Sequence, residues 1–362
     1  MRSVAFIIPN LQMGGAEKAL VTIANQWIET ADISIITFDS GKNFFTFDER
    51  IKLIPLHTTK NKMSVFSPLI NTVKRFWLLP RIINKISPDI TIAIMDTSII
   101  WTLFSRFFTK KPLIMVFQVT PTKLIIRPVF RPLIKILYKT ADAAVLLTHD
   151  MQKVFERLKI KLPAKIFVIP NPLSDDIIYK EDIHREDIIL AVGRLADQKQ
   201  FNLLIKLFHQ LKQTHWKLWI VGEGENRKEL ENLITSYDLQ NKVVLCGAQK
   251  NVSKFYARSK IFALSSAYEG FPVALCEAMA NGCACISFNC ELGPSDIIEH
   301  NIDGLLIEDQ NEEKFLAGLS QLIQSPEDIA RFSAKAKFFF EKVDIKKLVY
   351  QWEKTVEEVL KK

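Results

Sequence analysis

The sequence predicts an α/β protein made of two doubly wound domains, each a parallel sheet with helices on both faces. Three observations carry this. Short runs rich in Val and Ile alternate with longer helical patterns along the chain. Most of these runs lack apolar–polar alternation, as expected of strands covered on both faces. The alternation breaks at Pro170-Asn171-Pro172-Leu173-Ser174-Asp175-Asp176 and the charged stretch Lys180 to Asp187, the obvious linker. The length of 362 residues suits two domains of ordinary size. The expected split is 1–172 and 173–362, with the linker near 172–186.

The elements follow in order. Val4–Ile8 is an apolar strand ended by Pro9, and after Gly14-Gly15 the residues Leu20, Ile23, Ala24 and Trp27 mark one face of a helix. Ile33–Thr37, Ile90–Ile94, Leu113–Phe117, Ala143–Leu147 and Ile166–Ile169 supply the remaining first-domain strands. A fresh strand, Ile188–Val192, opens the second domain, and Leu203, Leu204, Leu207, Phe208 and Leu211 repeat the helical spacing. Lys217–Val221, Val243–Leu245, Ile261–Leu264, Ala284–Phe288 and Gly304–Ile307 read as further strands. Between two of them, Pro272 suits the first position of a helix and Asn281-Gly282 its end. The last segment, Asp344–Lys362, reads as a helix with Leu348, Trp352, Val356 and Val359 or Leu360 on one side.

Composition narrows the class. Hydrophobic residues make up 48% and charged residues 24%, which supports a core and excludes disorder over most of the chain. The five cysteines fit neither a paired zinc spacing nor a secreted disulfide framework, and read as small buried hydrophobes in a reducing compartment. The apolar start is too short for a signal peptide, and no apolar run approaches a membrane span. A soluble or peripheral intracellular protein is expected. The net charge of +8 is uneven. Residues 1–175 hold 24 Lys/Arg and 12 Asp/Glu, whereas 176–362 hold 24 and 28. Residues 52–139 hold 15 basic side chains against Asp89 and Asp96, so this half should meet something anionic.

In open α/β folds, ligands bind beyond the carboxyl ends of strands. Several strand-to-helix junctions here carry unusual residues. Gly14-Gly15 in Pro9 to Lys18 lets a ligand approach the backbone before a helix N-terminus, or is only a tight connection. Arg194 offers a planar fork and Lys199 a point charge around one turn, which suits a diphosphate; two solvated surface cations is the plain alternative. Gly222-Glu223-Gly224 lacks a third glycine at dinucleotide spacing and reads as a turn and helix start. In Ser265 to Gly282, Glu269 sits in the loop and Glu277 inside the helix. Glu277 is either solvent-facing or buried with a partner such as a ribose diol. A further junction, Asn289 to Ile298, places Gly293-Pro294-Ser295 at a helix start.

Together these residues resemble the retaining glycosyltransferases of GT-B fold, family 4. The features are the Gly14-Gly15-Ala16-Glu17 loop, Gly193-Arg194 with Lys199, and Glu269 with Glu277 as the family's E-x7-E pair; order and spacing extend over nearly the whole chain. The resemblance implies two Rossmann-like doubly wound domains facing a cleft. The first would take the acceptor and the second the nucleotide sugar, with the last helix (about 344–362) crossing back to the first. By the same resemblance, Arg194 and Lys199 would neutralise the donor diphosphate and Glu277 would hold the ribose. Glu269 and the backbone of Gly270-Phe271-Pro272-Val273 would contact the transferred sugar. Gly15 would face the diphosphate, and Gly247-Ala248-Gln249 would hold the base. Two departures stand out. Gln118 follows the strand where many relatives have a His, and Gln200-Phe201 follows Lys199 where Gly is common, so a differently shaped loop is expected there.

No D-x-D triplet occurs, so no metal and no other cofactor are expected; Arg194 and Lys199 would stabilise the leaving group. The implied reaction is retention by same-face attack, from a donor expected to be a UDP-sugar. Glu291 to Ile298 looks like a stretch of relatives that transfer N-acetylgalactosamine, galactose or similar hexoses.

The basic first half adds an acceptor expectation. Lys123, Arg127, Arg131, Lys135 and Lys139 recur every four residues on an apolar body. Lys60, Lys62, Lys74, Arg75, Arg81, Lys85, Arg106, Lys110 and Lys111 lie near Phe66, Phe76, Trp77, Phe107 and Phe108 in sequence. This reads as a peripheral face on an anionic membrane reaching a lipid-linked glycan acceptor, or as a solvated basic face. Nucleic acid would answer the same charge, but no recognised nucleic-acid module is evident, so no such partner is expected. The competing functions are a nucleotide-sugar epimerase of similar fold, and a basic nucleic-acid- or membrane-binding protein without transferase activity.

Overall fold

A computed structural model of the chain describes residues 1–12, 14–39, 45–58, 67–118, 136–173, 177–179, 181, 183–211 and 215–361. The chain divides into two compact units, Met1–Pro172 with Ile345–Lys362, and Leu173–Asp344.

The first unit holds strands β1 (Arg2–Ile8), β2 (Ala31–Thr37), β3 (Lys52–Pro55), β4 (Ile90–Ile94), β5 (Leu113–Phe117), β6 (Ala143–Leu146) and β7 (Lys165–Val168). They form one seven-stranded sheet in the order β3-β2-β1-β4-β5-β6-β7, with every pairing parallel. Val4 of β1 lies opposite Ile33 on one side and Ile90 on the other, so the apolar runs form the sheet's centre. The apolar runs do not announce β3. Its four residues include only two aliphatic side chains, none fully buried, and it lies at the edge, where Pro55 is tolerated.

Helices α1 (Gly15–Trp27), α2 (Ser67–Ile86), α3 (Asp96–Thr109) and α4 (His149–Arg157) belong to this unit. Leu79 and Ile83 of α2 pack with Ile7, Ile36 and Phe38 of the sheet region. On α1, the predicted face of Leu20, Ile23, Ala24 and Trp27 is buried. The C-terminal helix Ile345–Leu360 packs on α1 through Trp352 against Trp27, with ring centroids 6.2 Å apart, and Glu353 accepts a hydrogen bond from the Thr30 hydroxyl.

The second unit holds β8 (Glu186–Val192), β9 (Lys217–Val221), β10 (Val243–Gly247), β11 (Ser259–Leu264), β12 (Ala284–Phe288) and β13 (Gly304–Ile307). Their sheet order is β10-β9-β8-β11-β12-β13, again with parallel pairings. The helices are α5 (Phe201–Gln210), α6 (Arg227–Ser236), α7 (Ser253–Arg258), α8 (Val273–Ala280), α9 (Pro294–Ile297), α10 (Glu312–Gln324) and α11 (Pro326–Ala336). Leu204, Leu207 and Phe208 of α5 join Ile189, Leu218, Ile220, Phe315 and Phe332 in one core. Each such side chain contributes roughly 1.5–3 kcal/mol when fully buried. At the start of α11, Ser325 Oγ accepts the Asp328 N–H at 3.1 Å and Pro326 takes the first position, where its missing N–H costs nothing.

Both sheets reverse their strand order beside their first strand, between β1 and β4 and between β8 and β11. Ligand crevices of open α/β sheets lie outside the carboxyl ends at such switch points. The loops after β8 and β11 carry Arg194, Lys199 and Glu269; the helices after β1 and β4 open with Gly15 and Asp96.

Candidate active site

At the switch point of the second unit, two loops are tied together. Lys199 Nζ lies 2.6 Å from Glu269 Oε1, and the two side chains are 17% and 7% exposed. The Ala267 N–H donates to the Gln198 carbonyl at 2.8 Å, Gln198 Nε2 donates to the Tyr268 carbonyl at 2.9 Å, and Ser265 Oγ donates to the Lys199 carbonyl at 2.8 Å. Lys199 lies in a short 3-10 turn, and its stem crosses Gly193, where a Cβ would meet Lys199 Cε at 2.9 Å. Gln200 takes φ 48°, ψ 40°. Glycine enters this left-handed region most readily, so the backbone keeps a glycine-like turn with a glutamine in it.

Arg194 is exposed and has no hydrogen-bond or ion-pair partner for its guanidinium among the described residues. The sequence treats Arg194 and Lys199 as a pair of cations. The structure separates them: one is held by a carboxylate and the other is open to an incoming anion.

The glycines around this site serve backbone packing. A Cβ on Gly222, at φ 148°, would overlap the Gly193 carbonyl, and one on Gly224 would lie 2.7 Å from the Leu195 nitrogen. Leu195 N–H donates to the Glu223 carbonyl at 2.9 Å, and Gly222 N–H to the Gly247 carbonyl at 2.9 Å. The Gly222-Glu223-Gly224 stretch is therefore more than a turn: it lets the loops after β8, β9 and β10 touch main chain to main chain. Spacing in the sequence does not signal this.

Glu277 is 7% exposed, which removes the solvent-facing alternative. The hydroxyl of Tyr256, on α7, donates to Glu277 Oε2 at 2.9 Å. Burial first, and the Glu277 charge second, hold the Tyr256 phenol well above its ordinary value, so it stays protonated as a donor. Tyr256 is a partner of Glu277 that the motifs miss. The one available signal is that a carboxylate buried among Ala, Cys and Met needs a donor.

The helix carrying Glu277 begins at Val273, with Pro272 as its cap at φ −76°, ψ 82°. This corrects the expectation that Pro272 takes the first helical position. Its ψ is not helical, and its ring packs where a side chain on Gly293 would have to go. Gly293, at φ 97°, thus brings the loop after β12 against Gly270-Phe271-Pro272. Phe271 is buried, while Gly270 and Val273 are half-buried. Gly247, at φ 71°, ends the edge strand β10; Ala248 and Gln249 follow it exposed, with Gln249 Nε2 donating to the Cys246 carbonyl at 2.6 Å.

In the first unit, Gly15 is the exposed first residue of α1. The Glu17 carboxylate folds over Gly14, where an added Cβ would displace it, and burial raises its pKa. At the end of β4, Met95 has φ 70° and Asp96 opens α3, with burial raising the Asp96 pKa to about 6. Gln118, where relatives carry a His, exchanges two hydrogen bonds with Asn171, 3.1 Å and 2.9 Å long. Lys123, Arg127, Arg131 and Lys135 lie outside the described residues; Lys139 sits exposed in the 3-10 turn Tyr138–Thr140. Among the described residues, no group of three His, Cys, Asp or Glu side chains could hold a metal ion, and no helix is long and apolar enough to cross a membrane.

Residues 175–338 match the family described as glycosyl transferases group 1. The whole chain is similar to known proteins. An uncharacterized glycosyltransferase of Haemophilus influenzae is 30% identical, with 97% of this chain and 99% of that protein aligned. The Campylobacter jejuni GalNAc-alpha-(1->4)-GalNAc-alpha-(1->3)-diNAcBac-PP-undecaprenol alpha-1,4-N-acetyl-D-galactosaminyltransferase is 28% identical over 99% of both chains. Among solved structures, Anabaena HepE in complex with UDP and glucose superposes with a TM-score of 0.82 at 17% identity, covering 99% of this chain and 100% of that one.

Proposed function

Because the chain belongs to the group 1 glycosyltransferases, we propose that it transfers a hexose or N-acetylhexosamine from a UDP-sugar to a lipid-linked glycan, with retention and without a metal. The observation that carries the reading is the buried Lys199–Glu269 pair at the switch point of one sheet, with Arg194, which has no guanidinium partner among the described residues, in the same loop as Lys199 and the buried Glu277 on the helix that follows Glu269. In this reading Arg194 and Lys199 take the donor diphosphate, and Glu269 holds Lys199 in place while facing the sugar. Glu277, oriented by Tyr256, accepts the ribose hydroxyls. The Gly247-Ala248-Gln249 backbone meets the base.

Glu269 is engaged by Lys199 and Glu277 by the Tyr256 hydroxyl, so in this reading neither carboxylate takes the acceptor proton. The acceptor hydroxyl therefore attacks on the face the diphosphate leaves, and a departing phosphate oxygen takes its proton. The absent D-x-D triplet and the two cations support leaving-group stabilisation by protein charge. The undecaprenol-linked substrate in the Campylobacter enzyme's name supports the acceptor class, and the UDP in the Anabaena complex supports the nucleotide. A lipid-linked acceptor implies work at the cytoplasmic face of the membrane.

A thermal-shift screen of UDP- and GDP-sugars tests the donor, with stabilisation by a UDP-sugar expected. Proton NMR of the product then reads the anomeric configuration. An inverted product, or sugar trapped covalently on Glu269, would sink the mechanism.

A further inference from the structure

We infer that the outer face of α2 and α3 in the first unit docks on an anionic lipid surface by burying aromatic side chains between its lysines and arginines. The inference deepens the proposed function and rests on its membrane-bound acceptor.

Phe76, Trp77 and Phe108 form one cluster, and Phe107 is the neighbour of Phe108 on α3. Trp77, Phe107 and Phe108 are 53%, 70% and 52% exposed, although the two helices already bury Leu79 and Ile83, and Ile99 and Leu103, on their inner faces. The Phe76 ring meets Trp77 at 5.7 Å and Phe108 at 5.4 Å, both edge-on, so the cluster joins the two helices. Helices on the surface of a soluble domain present polar residues outward. A contiguous apolar patch with a polar rim marks an interaction site.

The rim selects the partner. Lys74, Arg81, Lys85 and Lys110 are exposed around these rings, and the Arg81 guanidinium lies 5.7 Å from the Trp77 ring. Between residues 52 and 139 the acidic residues are Asp89 and Asp96. Asp96 opens α3 and Phe107 and Phe108 lie in its last turn, roughly 17 Å away at 1.5 Å per residue. A second copy meeting this face across a two-fold axis would bring cations against cations. An anionic leaflet offers complementary charge, and its interface is where Trp and Phe partition.

Flotation of the full chain with vesicles tests this, comparing phosphatidylcholine alone with phosphatidylcholine containing phosphatidylglycerol. The chain is expected to float with the anionic vesicles. The Trp77→Ser, Phe107→Ser, Phe108→Ser triple variant should lose about tenfold in partitioning, with its melting temperature and its turnover on detergent-dispersed acceptor unchanged. A second variant, Lys74→Glu with Arg81→Glu, keeps the aromatic cluster and should lose anionic binding at low salt. Flotation of both variants like the unmodified chain overturns the inference. So does a dimeric chain made monomeric by the triple variant with vesicle binding unchanged. A chain that transfers sugar but does not float overturns the docking face alone. One that floats but transfers no sugar to any lipid-linked acceptor supports the face and overturns the proposed function.

Discussion

Lys199 Nζ and Glu269 Oε1 stand 2.6 Å apart and join the loops that leave β8 and β11, the neighbouring strands at the second sheet's switch point. The pair is a structural tie as well as a charge arrangement, and the two roles can be separated. Lys199→Ala leaves the Glu269 carboxylate buried without its cation. The expected cost is about 3 kcal/mol of stability, read from urea unfolding, together with loss of sugar transfer. Arg194→Ala removes an exposed guanidinium with no partner among the described residues. Its unfolding midpoint should be unchanged while turnover falls about 100-fold, the scale of a lost transition-state donor. Equal destabilisation by both variants would refute the division of labour.

Tyr256→Phe deletes the hydroxyl that meets Glu277 at 2.9 Å and leaves the ring in place. A buried carboxylate losing one donor costs about 1–2 kcal/mol. UDP affinity, measured by calorimetry, should fall several-fold because Glu277 is no longer oriented. An unchanged dissociation constant would show that Tyr256 serves the fold alone.

Gly224→Ala places a methyl group 2.7 Å from the Leu195 nitrogen, so backbone must move. A loss of more than about 2 kcal/mol is expected, in the range of overpacked sites. The displaced loop is the one carrying Arg194, so donor affinity should fall as well. A substitution at exposed Glu225 is the control and should leave both unchanged.

Burial raises the Asp96 pKa to about 6, above its unfolded value. The folded state therefore holds this proton more tightly, and the group's contribution to stability falls as pH rises from about 4 to about 6. Asp96→Asn removes the titration. The variant should match the unmodified chain near pH 4 and exceed it at pH 7 by on the order of 3 kcal/mol. Parallel stability curves for the two proteins across that range would contradict the assignment.

The strands were legible in the sequence alone. Continuous apolar runs can lie only between two covered faces, and all twelve expected runs are strands here. It missed β3, because a short edge strand needs no apolar run. It also put Arg194, Lys199 and Glu269 in strand-to-helix connections and Glu277 inside a helix, where the structure has them, since loop chemistry is local. What pairs with what was decided by tertiary structure alone. Lys199 and Glu269 are seventy residues apart in sequence and meet because the strand order reverses between β8 and β11. Tyr256 reaches Glu277 from a different helix. Gly222 and Gly224 are explained only by the main chain of Gly193 and Leu195 beside them. Spacing encodes which face a residue takes on its own element. Contacts between elements depend on sheet order, which no local pattern of residues specifies.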